Sequence, residues 1–227
     1  MKPSTTIPLA IVIGGIIVAA AVYFSVQRAE PSTSSGQGNP AAVRPVDVSD
    51  HILGNPAAPV KIVEYADFDC EYCKGFDTTL HSVIANDAGK GQVAWVFREF
   101  PLTEIHPTAL EQARAAECAA KVGGNEAFWK FADLLYQNQP ADPQNYGAYA
   151  AQAGIGSDTF ATCIENASST VDAAIEADRA NALASGALGT PYSLILVAGQ
   201  APVVMDGAYS YAAVEQLVEQ ALQSAGN

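Results

Sequence analysis

The chain has 227 residues, with 24 Asp and Glu against 11 Lys and Arg, a length that suits one ordinary domain with appendages. The acidic excess lies beyond residue 45, because only Glu30 among the acids precedes it, whereas Lys2, Arg28 and Arg44 do among the bases. Such a balance argues against nucleic-acid binding, which wants a basic footprint, and against electrostatic adhesion to anionic lipid.

Residues 1–6 read as a short cytoplasmic terminus. Residues 7–26 carry no charge and are almost wholly apolar, at about the 20 residues a membrane span needs. A signal-peptide core is shorter, roughly 7–15 residues. Residues 7–26 are therefore expected to be an uncleaved transmembrane anchor, although Ala19-Ala20-Ala21 leaves a cleavage site open. Lys2 and the amino terminus favour the N-terminus inside, and Arg28 pulls weakly the other way. The even count of four cysteines fits an oxidising compartment. Together these place the remainder outside the cytoplasm, at the cell membrane on its periplasmic or extracellular side. Residues 27–45, rich in Pro, Ser, Gly and Gln, read as a flexible tether. The folded domain is expected over residues 46–227.

In chain order, residues 47–52 read as a short first strand before a Gly54-Asn55-Pro56 turn. Residues 61–66 form an apolar strand. Asp67-Phe68-Asp69 is a turn, and Cys70-Glu71-Tyr72-Cys73 opens a helix. Residues 93–100, with β-branched and aromatic side chains, form the next strand. From 107 to about 184 the chain is Ala-rich and helical, with Pro107 suited to a first helical position. Phe128, Phe131, Ala132 and Leu135 recur at helical spacing. Ser157-Asp158 begins another helix as an N-cap pair, with Phe160, Cys163, Ile164 and Ala167 on its inner face. Strands return at 192–197 and 202–205 around a Gly199-Gln200 hairpin turn. An amphipathic helix over 211–223 closes the chain, with Val214, Leu217, Val218, Ala221 and Leu222 inward. The order predicts a mixed α/β sheet with helices inserted at about 104–186.

Two cysteines at this spacing on a strand–turn–helix corner put one sulfur at a helix N-terminus, where N–H groups and the dipole favour a thiolate. The thiolate is the species that attacks disulfides. The second cysteine lies one turn on, close enough to resolve a mixed disulfide. A zinc site would need two more Cys or His at short spacing. His81 and His51 have no paired partner in the sequence, so no metal is expected. Cys118 and Cys163, 45 residues apart, read as a structural disulfide joining two helices, or else as free buried thiols or a second redox pair. His106 before Pro107 reads as a turn residue, His81 as an exposed helix residue and His51 as part of the first strand. Trp95 and Trp129 read as core. Asn166-Ala167-Ser168 matches a glycosylation acceptor but falls in an expected helix.

Cys70-Glu71-Tyr72-Cys73, residues 97–102 (Phe-Arg-Glu-Phe-Pro-Leu), His106-Pro107 and Gly189-Thr190-Pro191-Tyr192 together resemble a DsbA-like thiol:disulfide oxidoreductase, a thioredoxin fold with a helical insertion, of the membrane-tethered extracytoplasmic type. The resemblance covers residues 46–221. It implies a protein disulfide oxidoreductase with no cofactor. Cys70 would attack or be attacked and Cys73 would resolve, the first exposed and the second shielded. Thr190-Pro191 would be a cis peptide beside the redox pair, leaving the Thr190 backbone to pair with an extended substrate segment. Glu64 would be a buried acid beneath the disulfide, able to take or return the Cys73 proton once burial raises its pKa. Glu71 and Tyr72 would tune the site. Strongly oxidising relatives carry a histidine between the cysteines, which this chain does not. Asp67, Asp69 and Glu71 are expected to crowd Cys70 with only Lys74 opposing. The expectation is therefore a less oxidising disulfide than the family's strongest.

Cysteine-containing secreted or envelope proteins are the partners implied, with a quinone-linked membrane oxidase as electron acceptor, or a membrane donor if the role is reductive. With only an anchor and a tether before the domain, a monomer is expected. A reductase or isomerase of the same fold is the nearest alternative. A Cu(I)-binding assembly protein is another, since soft thiolates select that ion; a peptide-binding chaperone is a third.

Overall fold

The computed structural model of this chain describes residues 38–87 and 89–226. The expected anchor at 7–26 and most of the expected tether lie outside the described residues. Among the described residues, no helix is long and apolar enough to cross a membrane.

Five strands form one mixed sheet: β1 (His51–Gly54), β2 (Val60–Ala66), β3 (Val93–Glu99), β4 (Tyr192–Val197) and β5 (Val203–Asp206), in the order β1-β3-β2-β4-β5. β2 runs parallel to β3 and antiparallel to β4, and β1 and β5 add antiparallel edges. β2 and β3 are covered on both sides, which explains their near-continuous apolar runs. On one side, Ile62, Trp95 and Phe97 pack against helices α1 (Glu71–Asn86), α2 (Ala109–Gln137) and α7 (Tyr211–Ala225). On the other, Val63, Tyr65, Val96 and Leu194 pack around Ala182 of α6 (Asp172–Ser185). The short helices α3 (Tyr146–Gln152), α4 (Ser157–Glu165) and α5 (Ala167–Thr170) complete the block between β3 and β4.

Several boundaries differ from the sequence reading. β1 begins at His51 rather than 47, because Asp47 and Asp50 turn the chain: Asp50 Oδ2 accepts from Asp47 N at 2.8 Å. α2 begins at Ala109, two residues after Pro107. It is broken at Gly124, whose φ of 77° lies in the region glycine enters at no steric cost. Asn166 sits at the junction of α4 and α5, not within a helix, and Ser157 is the first helical residue after the N-cap Gly156.

The tether expected through residue 45 is already docked by residue 39. Asn39 N donates to Ala184 O at 2.8 Å. Arg44 pairs with Asp50 at 2.7 Å and Asp178 at 2.9 Å. Arg98, with no exposed side-chain surface, bonds Asp50 at 2.9 Å and the carbonyls of Arg44 and Pro45. A guanidinium supplies enough donors to satisfy several acceptors at once, and Val43 and Val46 pack against the core on the α6 side, so the segment is held by both polar and apolar contacts.

Candidate active site

The site is built where β2 ends, α1 begins and the loop before β4 passes. Asp67 makes the corner. Its Oδ1 accepts from Asp69 N at 2.8 Å, and its carbonyl accepts from Cys70 N at 3.1 Å. Cys70 is the N-cap of α1 in an extended conformation, and its side chain makes no cap bond. Its sulfur is left at the helix N-terminus, as the spacing predicts. Cys73 lies in the first turn, and both cysteines are free thiols here. Cys70 is largely covered, keeping 5% of its surface, and Cys73 keeps none. The expectation of an exposed first cysteine is thus corrected: the loop before β4 covers it.

Thr190-Pro191 is a cis peptide, and so is Gln139-Pro140, which sequence reading did not single out. Cys70 Sγ lies 3.4 Å from Thr190 O. Thr190 Oγ1 is buried and, apart from the Cys70 sulfur, has no partner.

The two thiols titrate in opposite directions. The hydrogen bond from Cys73 lowers the Cys70 pKa to about 6; burial opposes this, while Thr190 and the N–H groups of Cys73 and Tyr72 assist. Burial pushes Cys73 well above the ordinary thiol range, and the Cys70 bond and the Glu64 charge add to it. The expectation that acids crowd Cys70 and disfavour its thiolate is therefore not met. Asp67 is committed to His106 Nδ1 and Leu102 N, both at 2.8 Å. Asp69 accepts from Thr108 Oγ1 at 2.6 Å and Gln112 Nε2 at 3.2 Å. Glu71 is exposed on the first turn. Carboxylates already held by hydrogen-bond donors do less than a sequence count suggests.

Glu64 is fully buried on β2. Its Oε2 accepts from Trp95 Nε1 at 2.9 Å, and its Oε1 has no partner. Burial, and then the charge of Asp77, raise its pKa well above the carboxylate range. Its charge in turn raises the Cys73 thiol, so the two groups are coupled.

Cys118 and Cys163 are bonded to each other and join α2 to α4, with Cα atoms 5.7 Å apart. His51 is on β1, stacked on Phe128 and 2.7 Å from Glu117. His81 differs from its reading as an exposed helix residue. It is half-buried, 3.0 Å from Asp133 and 3.7 Å from Asp77, with its ring edge-on to Trp95. Residues of α1, α2 and β3 meet there, a convergence no local spacing announces. The Asp67–His106 pair was also missed, since 39 residues separate the partners.

The sequence model of the family described as Thioredoxin matches residues 47–220. Among solved structures, α-DsbA1 of Wolbachia pipientis superposes with a TM-score of 0.70 at 21% identity, covering 82% of this chain and 97% of that one. BdbD of Bacillus subtilis, in its oxidised form, gives 0.63 at 25% identity, covering 83% and 97%. A thioredoxin-like oxidoreductase of Silicibacter pomeroyi gives 0.64 at 25%, covering 78% and 94%. Among curated proteins, the Na(+)/H(+) antiporter NhaA 3 of Salinispora tropica is 38% identical over 125 residues, 53% of this chain and 18% of that protein. NhaA 1 of Mycolicibacterium gilvum is 33% identical over 151 residues, 66% of this chain and 24% of that protein. The chain spans less than a quarter of the length of these two relatives.

Proposed function

The chain belongs to the thioredoxin family, with the DsbA-like form of its fold, and from that premise we propose that it is a thiol:disulfide oxidoreductase working in the oxidising direction through Cys70 and Cys73. The observation that carries this reading is the placement of Cys70 at the N-cap of α1 with Cys73 fully buried one turn on, an arrangement that lowers the Cys70 pKa to about 6 and raises that of Cys73. A reduced form stabilised by an easily ionised thiol makes its disulfide the stronger oxidant.

In that direction, a substrate thiolate attacks Cys70 Sγ of the Cys70–Cys73 disulfide. The Cys70–Cys73 bond breaks, a substrate–Cys70 bond forms, and Cys73 leaves as a thiolate that takes a proton, with the buried carboxyl of Glu64 as the proposed source. A second substrate thiolate then attacks the substrate sulfur. Cys70 departs as a thiolate, and the substrate holds the new disulfide. Its two electrons now rest on the Cys70/Cys73 dithiol, and a quinone-linked membrane oxidase is the acceptor proposed to remove them.

The substrates proposed are cysteine-containing secreted or envelope proteins, caught while extended. Tyr72, Ile105 and Leu188 expose 72%, 68% and 86% of their surfaces. Tyr72 lies between the cysteines, Leu188 two residues before Thr190, and Ile105 next to His106. An apolar rim of this kind suits an unfolded segment. We place the domain outside the cytoplasm, tethered by an anchor at residues 7–26, on the apolar character of that stretch and the disulfide between Cys118 and Cys163.

The direction is tested by equilibrating the domain in glutathione buffers. A potential well above the roughly −270 mV of thioredoxin supports an oxidant. A value at or below it makes the protein a reductase or isomerase. Release of the full chain from membranes by salt alone would refute the anchor.

A further inference from the structure

His106 lies in the loop between β3 and α2, with its Nδ1 2.8 Å from Asp67 Oδ2. The Asp67 carboxylate has no exposed surface. Its other bonds are from the backbone N–H groups of Leu102 and Asp69. Among the described residues, His106 is its one ion-pair partner. A buried carboxylate is retained when a cation and hydrogen bonds compensate it, so the contact favours the imidazolium.

Asp67 touches both cysteines through its backbone. Its carbonyl accepts from Cys70 N at 3.1 Å, and its N–H faces the Cys73 sulfur. One residue thus links the imidazole to the reacting corner. The His106 side chain keeps 23% of its surface, and its Nε2 has no hydrogen-bond partner among the described residues. Burial works against the imidazolium. The hydrogen bond and charge of Asp67 outweigh that, and the charges of Cys70 and Asp69 add to them. Asp67, Cys70 and Asp69 are the titratable groups that act on His106. Coupling between two charged groups is reciprocal, so what Cys70 does for the imidazolium, the imidazolium does for the thiolate.

We propose that His106, clamped by Asp67, is the cation that stabilises the Cys70 thiolate, and so acts as a redox-tuning residue of the site. The inference rests on the reading of Cys70 and Cys73 as the exchanging pair. When Cys70 ionises, its proton goes to solvent, and His106 keeps its own. The charge that a count of neighbouring acids leaves uncompensated is supplied from a loop distant in sequence.

His106→Asn tests this in the full chain. Its amide can donate to Asp67 from the place of Nδ1 without carrying charge, so a merely structural role would survive. Alkylation of Cys70 by iodoacetamide is followed from pH 5 to 8, and the dithiol is equilibrated with glutathione. The variant is expected to alkylate at least about threefold more slowly at pH 6. Its equilibrium should shift by a similar factor toward the disulfide, about 14 mV at 29.6 mV per tenfold. A variant that matches the wild type in both measurements overturns the proposal.

Should the variant not fold, the His106 imidazole of the wild-type protein is titrated by NMR in both redox states. A higher pKa in the dithiol than in the disulfide supports the coupling, and equal values overturn it. If the variant alkylates more slowly but the wild type exchanges no protein disulfides, the inference stands and the functional reading falls.

Discussion

Trp95 Nε1 donates to Glu64 Oε2 at 2.9 Å, and this bond orients a carboxyl that is otherwise without a partner below Cys73. Glu64 is adjacent on β2 to Val63, which faces the other layer, so the pleat alone carries it to the cysteine side. Its raised pKa makes it a proton store for Cys73. Glu64→Gln keeps the indole bond but removes the titrating proton. The expected result is at least about a tenfold slower release of Cys73 in single-turnover exchange at pH 7, below the about 10²–10⁴-fold of general acid–base effects because solvent substitutes in part. The Cys70 alkylation profile should move little. Quenched-flow trapping of the mixed disulfide measures this, and unchanged release would remove Glu64 from the mechanism.

Glu99 provides a pH test of stability. It is fully buried at the end of β3, and neither carboxyl oxygen has a partner. Burial, and then the charges of Glu117 and Asp178, raise its pKa well above 4.5. Because the folded pKa is the higher one, the contribution is fully present below the unfolded pKa and is lost as pH rises through the folded value. Stability should therefore decline as pH rises from about 4.5 in the wild type, and the decline should be shallower in Glu99→Gln. Glu99→Leu, which also removes the unpaired polar atoms, should gain about 1–3 kcal/mol at pH 7. Urea titrations at pH 5 and 8 measure both; equal pH slopes in wild type and Glu99→Gln would show that Glu99 is not the source.

What the sequence makes legible here is local. The Cys70–Cys73 pair, the strand before it and Gly189-Thr190-Pro191 are contiguous signals, and each falls where its spacing places it. The period-3.6 pattern of Phe128, Phe131, Ala132 and Leu135 likewise marks a buried face, and all four are buried. The charge state of the site is not local. Asp67 looks like a repulsive neighbour until His106 arrives from another loop. His81 looks like a surface residue until Asp133 and Trp95 close over it. The docking of residues 39–45 was hidden for the same reason. A Pro- and Ser-rich stretch reads as a tether, and only the buried guanidinium of Arg98 shows where it stops being one. The break at Gly124 escaped because apolar periodicity holds on both sides of it.

Arg98 carries the next prediction. It holds Asp50 at 2.9 Å and Tyr65 Oη at 3.1 Å with no exposed surface. Removing one partner of a buried pair costs about 3–5 kcal/mol where the charge left behind is uncompensated; Asp50 still holds Arg44 at 2.7 Å, so Arg98→Met should cost less, about 1–3 kcal/mol. It should loosen residues 44–45, whose carbonyls Arg98 holds, seen as faster amide exchange at Arg44. Arg98→Met with Asp50→Leu should recover part of the loss, because no buried charge remains on that pair. A double variant as unstable as the single one would assign the loss to packing instead.

The Cys118–Cys163 bond closes a span of 45 residues within the helical block, apart from the Cys70 site. On the chain-entropy account a loop of that size contributes roughly 4 kcal/mol. Replacing both cysteines with serine should lower stability by about that amount while leaving the Cys70 alkylation profile unchanged, since the bond joins α2 to α4 and neither helix carries Cys70. Chemical denaturation of the disulfide form of each protein measures the first, and alkylation of each dithiol form measures the second. A changed Cys70 profile would mean that the second pair exchanges electrons with the first, turning a structural bond into part of the redox chain.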